Sequence, residues 1–259
     1  MRWTRWRRAV QALSAVLWLA LPVLGDPRLA GTAVALRAGP VELLEPAAAL
    51  SAALAARALP AALVLGVLPM LAAAVLLGPV ACAWLCPYGL ASEGIDSVRR
   101  RGARWPDGGR AAAPRPRLAV LGALLALSAL LSAPVAAIVS PPRLVSALPL
   151  EAWSSRAVPW VTAGLLAGLL AIELLAPRRL VCRVLCPARA LAALLRRPFT
   201  WGPRFTSSAC RCPETPACAS ACPWGLDPRE GRLREQGCTS CMACVERCPT
   251  GALAALRRK

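Results

Sequence analysis

Histidine is absent from this chain of 259 residues. That excludes histidine-ligated haem, zinc sites built on imidazole and every mechanism with a catalytic histidine. Charge is scarce as well. Only 17% of residues are charged, where a soluble domain carries about 25%. Acids are the scarcer sign, 13 against 31 Lys and Arg, which leaves a formal net charge of +18. With 57% hydrophobic residues, the chain is too apolar to be disordered. Basic residues set between apolar runs point to an anionic membrane surface as partner and away from nucleic acid.

Cysteine is abundant. There are twelve, eight of them between Cys210 and Cys248. In a small secreted scaffold such density would mean disulfides. Here the cysteines follow membrane-type segments, so metal ligation is the leading reading.

Four apolar runs predict an all-α polytopic membrane domain with about four transmembrane helices. The first, Ala9–Gly25, follows Arg2, Arg5, Arg7 and Arg8. It reads as a retained anchor, with a cleaved signal peptide as the alternative. The second helix is expected near residues 61–84, inside a charge-free stretch from Ala58 to Ser92. The third is Leu118–Val139 and the fourth about Val158–Ala176, which contains Glu173. Residues 26–57 read as an outer loop with a short helix around Pro46–Ala56. Seven arginines between residues 97 and 117 make that loop the inner one. The positive-inside rule then puts both termini on the cytoplasmic face of a bacterial inner membrane.

A repeat is also visible. Cys82-x3-Cys86-Pro87 returns as Cys182-x3-Cys186-Pro187, one hundred residues on. The expected division is a membrane domain, 1–199, in two halves (1–100 and 101–199), followed by an α+β bacterial ferredoxin-like domain, 200–259.

The sharpest motif is C-x2-C-x2-C-x3-C-P, running through Cys238, Cys241, Cys244 and Cys248 to Pro249. Three thiolates on a tight loop serve three irons of one cubane, and the fourth points to a second cluster. Zinc knuckles instead pair two short Cys motifs across a longer loop. An irregular copy precedes it, with Cys212, Cys218 and Cys222-Pro223 in place. Thr215 stands where a second Cys is due, and Cys210 is its substitute. Two [4Fe-4S] clusters follow, one on Cys238, Cys241, Cys244 and Cys222, the other on Cys210, Cys212, Cys218 and Cys248. A three-iron cluster, or none, is the alternative at the irregular copy.

Cys82, Cys86, Cys182 and Cys186 admit three readings: a third cluster, a redox-active dithiol pair, or small side chains packed between helices. Glu173 is a candidate proton acceptor, with Glu93 and Asp96 as rivals, or it pairs with Arg178 or Arg179 at the membrane edge. Trp3, Trp6, Trp153 and Trp160 suit interfacial belts. Trp84 and Tyr88 flank the first Cys pair.

The two C-x3-C-P motifs joined to a double ferredoxin module resemble the membrane-bound H subunit of periplasmic nitrate reductase systems. They are similar also to the ferredoxin-type membrane protein of methylamine-utilisation clusters. The resemblance implies electron transfer between the quinone pool and partner redox proteins, with a quinol dehydrogenase component as the possible enzymatic role. A maturation factor for another metalloenzyme and an iron–sulfur sensor are the alternatives.

Overall fold

The computed structural model describes residues 2–24, 29–38, 41–99, 114–176, 179–195, 202–212, 217–230, 233 and 237–256. Thr215 and the arginines of residues 100–113 lie outside the described residues.

Helix α1, Arg2–Leu24, leads into a three-stranded antiparallel meander of β1 (Leu29–Thr32), β2 (Ala35–Ala38) and β3 (Val41–Leu44). Arg37 pairs with Glu42 across β2 and β3, where the two stand in register. Opposite charges facing each other stabilise such a ladder. Helix α2, Pro46–Ala56, begins where a helix entry is well prepared. Glu45 accepts the amides of Ala47 (3.0 Å) and Ala48 (2.8 Å), and Pro46 lacks the N–H that would otherwise be orphaned. Arg57 ends it in the left-handed region, φ 50°.

Helix α3 (Ala61–Leu77) stops at Gly78, φ 64°, and the one-turn α4 (Val80–Trp84) follows. Helix α5 (Pro87–Arg99) starts directly after Cys86. Helix α6 (Pro114–Leu130), one-turn α7 (Val135–Ile138), α8 (Pro141–Ser155) and α9 (Trp160–Leu175) come next. A five-residue π turn, Val181–Leu185, precedes α10, Pro187–Leu195. The last segment is bracketed by β4 (Gly202–Phe205) and β5 (Leu253–Leu256), which pair antiparallel with Gly202 opposite Leu256. Between them sit one-turn helices α11 (Ala217–Ser220) and α12 (Ala243–Glu246).

The four-span membrane domain is not what the chain builds. Among the described residues no helix is long and apolar enough to cross a membrane. A crossing takes about 20 apolar residues to cover about 30 Å. Helices α3 and α6 have 17 residues and α9 has 16, about 24–26 Å at about 1.5 Å per residue. The runs are apolar, but backbone breaks divide them. Gly78 and Pro79 cut the second run. The third, Leu118–Val139, turns at Ser132 (φ 49°) and Pro134 before α7. The fourth ends at Ala176, before Pro177. Helix α1 has 23 residues, but Arg2, Arg5, Arg7 and Arg8 occupy its first two turns. The multi-pass inner-membrane placement with cytoplasmic termini falls with the spans, and so does the belt role of the tryptophans. Trp3 packs edge-on against Trp84, ring centroids 6.3 Å apart. Nor is the N-terminal part all-α, since the mixed stretch expected as a loop forms the meander, although its helix lies where expected, at Pro46–Ala56.

Candidate metal centre

All twelve cysteines are free thiols. The sequence motifs arrange them in three groups of four, and Cys218 of one group also acts electrostatically on Cys244 of another. Among the described residues no three Cys, Asp or Glu converge as ligands of a single metal ion would. A cubane makes a different demand, because each thiolate takes its own iron.

The first group is Cys222, Cys238, Cys241 and Cys244. Ser240 and Met242 take φ of 53° and 60°, which coils the loop so that successive cysteines turn inward. The Cys222 thiol is pushed up to about 12, first by burial and then by Cys241 and Cys238. Burial also raises Cys244, and Cys241, Cys238 and Cys222 add to it. Backbone amides aim at sulfur: Leu226 N–H donates to Cys222 Sγ and Ser240 N–H to Cys238 Sγ, each at 3.4 Å. Such bonds favour thiolate ligands and tune cluster potentials. Thr239 Oγ1 and Trp224 Nε1 are buried here without a partner among the described residues, and the sulfurs of a cluster would accept from them.

The second group is Cys210, Cys212, Cys218 and Cys248. Burial raises Cys212, and Cys210 and Cys248 reinforce it. Burial likewise raises Cys218, with Asp227 and Cys248 adding to the effect. Cys248 lies below its ordinary value. Burial opposes this, but amide donors at Leu253, Thr250 and Ala252 together with the Thr250 hydroxyl outweigh it. Cys218 and Cys244 share one buried apolar cluster with Leu253, so the two groups abut.

The third group is Cys82, Cys86, Cys182 and Cys186. The Cys82 thiol is pushed up to about 12 by burial and then by Cys86. Burial raises Cys186, with Cys82 and Cys86 adding to it, and raises Cys182, to which Cys186 and Cys86 also contribute. The thiols of the two pairs therefore act on one another's ionisation. Their symmetry extends to the backbone. The amide three residues after each second cysteine, Gly89 after Cys86 and Arg189 after Cys186, bonds to its sulfur. Each sulfur thus sits at the N-terminus of a Pro-initiated helix, α5 or α10, where the helix dipole favours negative charge. Glycine is required at position 89, since a Cβ there would lie 2.8 Å from the Cys82 carbonyl oxygen.

Three contacts join the third group to the first. Cys182 packs against the buried cluster of Trp224, Leu226, Leu233 and Cys238, beside Cys222. Arg189, buried, donates to the carbonyl oxygens of Cys182 (2.8 Å) and Gly237 (2.7 Å) and lies 3.9 Å from the Trp224 ring centroid. Trp84 Nε1 donates to the Ser240 carbonyl at 3.2 Å. Arg189, Trp224 and Gly237 were not legible as site residues. Arg189 holds the repeat position that Gly89 holds in the first half, and only that displacement from the pattern marks it.

Glu173 is 1% exposed and sits at the third group's edge. It accepts from the Ser92 hydroxyl and from Val181 N–H at 3.0 Å. Burial raises its pKa against those bonds and the Arg179 charge. Of its two expected partners, Arg178 lies outside the described residues. Arg179 bonds Asp96, and Glu93 takes Arg7 and Arg8. Trp84 and Tyr88 do flank the cysteines, and Tyr88 is fully buried.

A family model described as a 4Fe-4S binding domain matches residues 59–106 and 158–206, and a second model of the same description matches residues 234–254. The first two stretches contain the third group, and the last contains Cys238, Cys241, Cys244 and Cys248. No curated protein and no solved structure matches the chain. The chain carries 4Fe-4S binding domains, as ferredoxin-type electron-transfer proteins do.

Proposed function

We propose that the chain is an electron relay holding three [4Fe-4S] clusters. Cys222, Cys238, Cys241 and Cys244 would hold the first. Cys210, Cys212, Cys218 and Cys248 would hold the second, and Cys82, Cys86, Cys182 and Cys186 the third. When bound, a cubane accepts and returns one electron at a potential set by hydrogen bonds to its sulfurs, by net charge and by solvent exposure. The residues here supply those settings: amide donors at each group, a buried guanidinium between two of them, and apolar walls.

The observation that carries the proposal is a chain of shared apolar clusters: Cys182 and Cys222 both pack against the one that contains Cys238, and Cys218 shares the next with Cys244. Each group shares such a cluster with the next, so an electron entering at one end has a short path to the other. Residues 1–199 would carry the third group and residues 200–259 the other two. By resemblance, one terminus of the relay exchanges electrons with quinol and the other with a partner redox protein.

Potentiometric titration of anaerobically prepared protein, followed by low-temperature EPR, tests this. Three one-electron steps with mutually broadened signals are expected, since adjacent paramagnets couple. Two steps without a third species would remove the third group from the relay.

A further inference from the structure

We infer that the cavity between α1, α5 and the ends of α11 and α12 is a binding site for a small dianion, a dicarboxylate or phosphate, seated against the first cysteine group. The inference deepens the relay reading and rests on it for purpose, while binding itself stands on the cavity alone. The cavity measures about 430 Å³, within the usual range for small-molecule sites. Five arginines line it, Arg5, Arg7, Arg8, Arg179 and Arg247, against Glu93, Asp96 and Glu246. Each acid is engaged within the lining through at least one oxygen, while Glu93 Oε2 is buried without a hydrogen-bond partner among the described residues. Glu93 accepts from Arg7 and Arg8, Asp96 from Arg179, and Glu246 from Thr4. The balance is positive.

Two further features point to an anion. Arg7 is 4% exposed, and its Nε is buried with no partner among the described residues. Leaving such a donor unmade is costly unless something accepts from it. Arg5 and Arg247 stand exposed at the rim, and guanidinium forks match carboxylate and phosphate oxygens in pairs.

The location gives the site its meaning. Ala221 and Pro223, on the cavity wall, flank Cys222, and Ala243 on the same wall adjoins Cys244. A bound dianion there adds negative charge one residue from two ligand thiols. By linkage, it binds the oxidised protein more tightly than the reduced one, because reduction also adds negative charge.

Calorimetry on the full chain with its clusters, titrated at constant ionic strength with malonate and separately with inorganic phosphate, tests the proposal. One saturable site is expected for at least one of the two. Arg5→Gln and Arg247→Gln, both at the exposed rim and so no threat to folding, should each weaken it about tenfold. Arg57→Gln, at the cap that ends α2 and outside the cavity lining, should leave it unchanged. Saturation should also alter the EPR spectrum of the reduced protein. Absence of saturable binding to both probes overturns the site, as does equal weakening by Arg57→Gln, which would mean diffuse charge attraction. Binding of an acidic peptide without binding of either small anion overturns it too. Rim-dependent binding with an unchanged EPR spectrum upholds the site and overturns its tie to the relay, whose own failure would appear separately as a missing redox step.

Discussion

Arg189 places a buried positive charge between two groups of sulfurs, where it faces Cys82, Cys182, Cys186 and Cys238. A cation beside a cluster stabilises its reduced, more negative state. Arg189→Gln should therefore lower the potentials of the first and third groups, on the order of 60 mV, the one-electron equivalent of a tenfold shift. Arg189→Lys restores the charge but not the forked bonds to Cys182 and Gly237, so it should recover most of the potential and little of the stability. Redox titration of the two variants checks both. Glu173 gives a pH prediction. Its folded pKa lies above the ordinary 4.5, so the folded state holds its proton more tightly than the unfolded chain. Stability tied to it is therefore present at low pH and lost as pH rises from 4.5 through the folded value. Glu173→Gln mimics the protonated acid, since its amide can donate to Ser92 and its oxygen can accept from Val181 N–H. The variant should melt above the parent at pH 8, and the gap should close as pH falls. A gap independent of pH would contradict the reading.

At the scale of elements, the sequence misled where apolar runs were counted as if each were one helix. Gly78-Pro79 and Ser132 with Pro134 were both visible, and each is a backbone break that hydropathy does not register. The three-stranded meander of β1 to β3 was hidden for another reason: four-residue strands carry too little alternation to stand out from a mixed loop. Helix α2 was legible because Glu45 and Pro46 start it by local chemistry alone. Many apolar side chains of α1, α3, α6 and α9 lie on the surface, Leu13, Leu65, Val161 and Leu175 among them, so exposed apolar faces are part of this fold. Helix α1 is tied to α12 through Glu246, which accepts the Thr4 amide at 3.0 Å and the Thr4 hydroxyl. Loss of a bond to a charged acceptor costs about 1.5 kcal/mol. Glu246→Ala should speed amide exchange in the first two turns of α1 roughly tenfold, with α9 unaffected. Unchanged exchange in α1 would show that the tie carries no weight.

Across the whole molecule, the regular spacing of Cys238 to Cys248 was legible because loop and cluster geometry dictate it locally. The same motif led to the expectation that Cys222 completes that set. The repeat made a third set of Cys82, Cys86, Cys182 and Cys186 legible as one of three readings, but one hundred residues separate the pairs, so the motif alone could not choose among them. Arg189 and Trp224, which bridge that set to the next, were invisible, because only the fold brings them together. The central claim is that all three sets hold clusters, and iron and acid-labile sulfide content measures it most directly. Anaerobically purified protein should contain about twelve Fe per chain, and the Cys82→Ser, Cys182→Ser double variant about eight, with the remaining EPR signals intact. About eight Fe in both proteins would contradict the account and leave the third set as thiols.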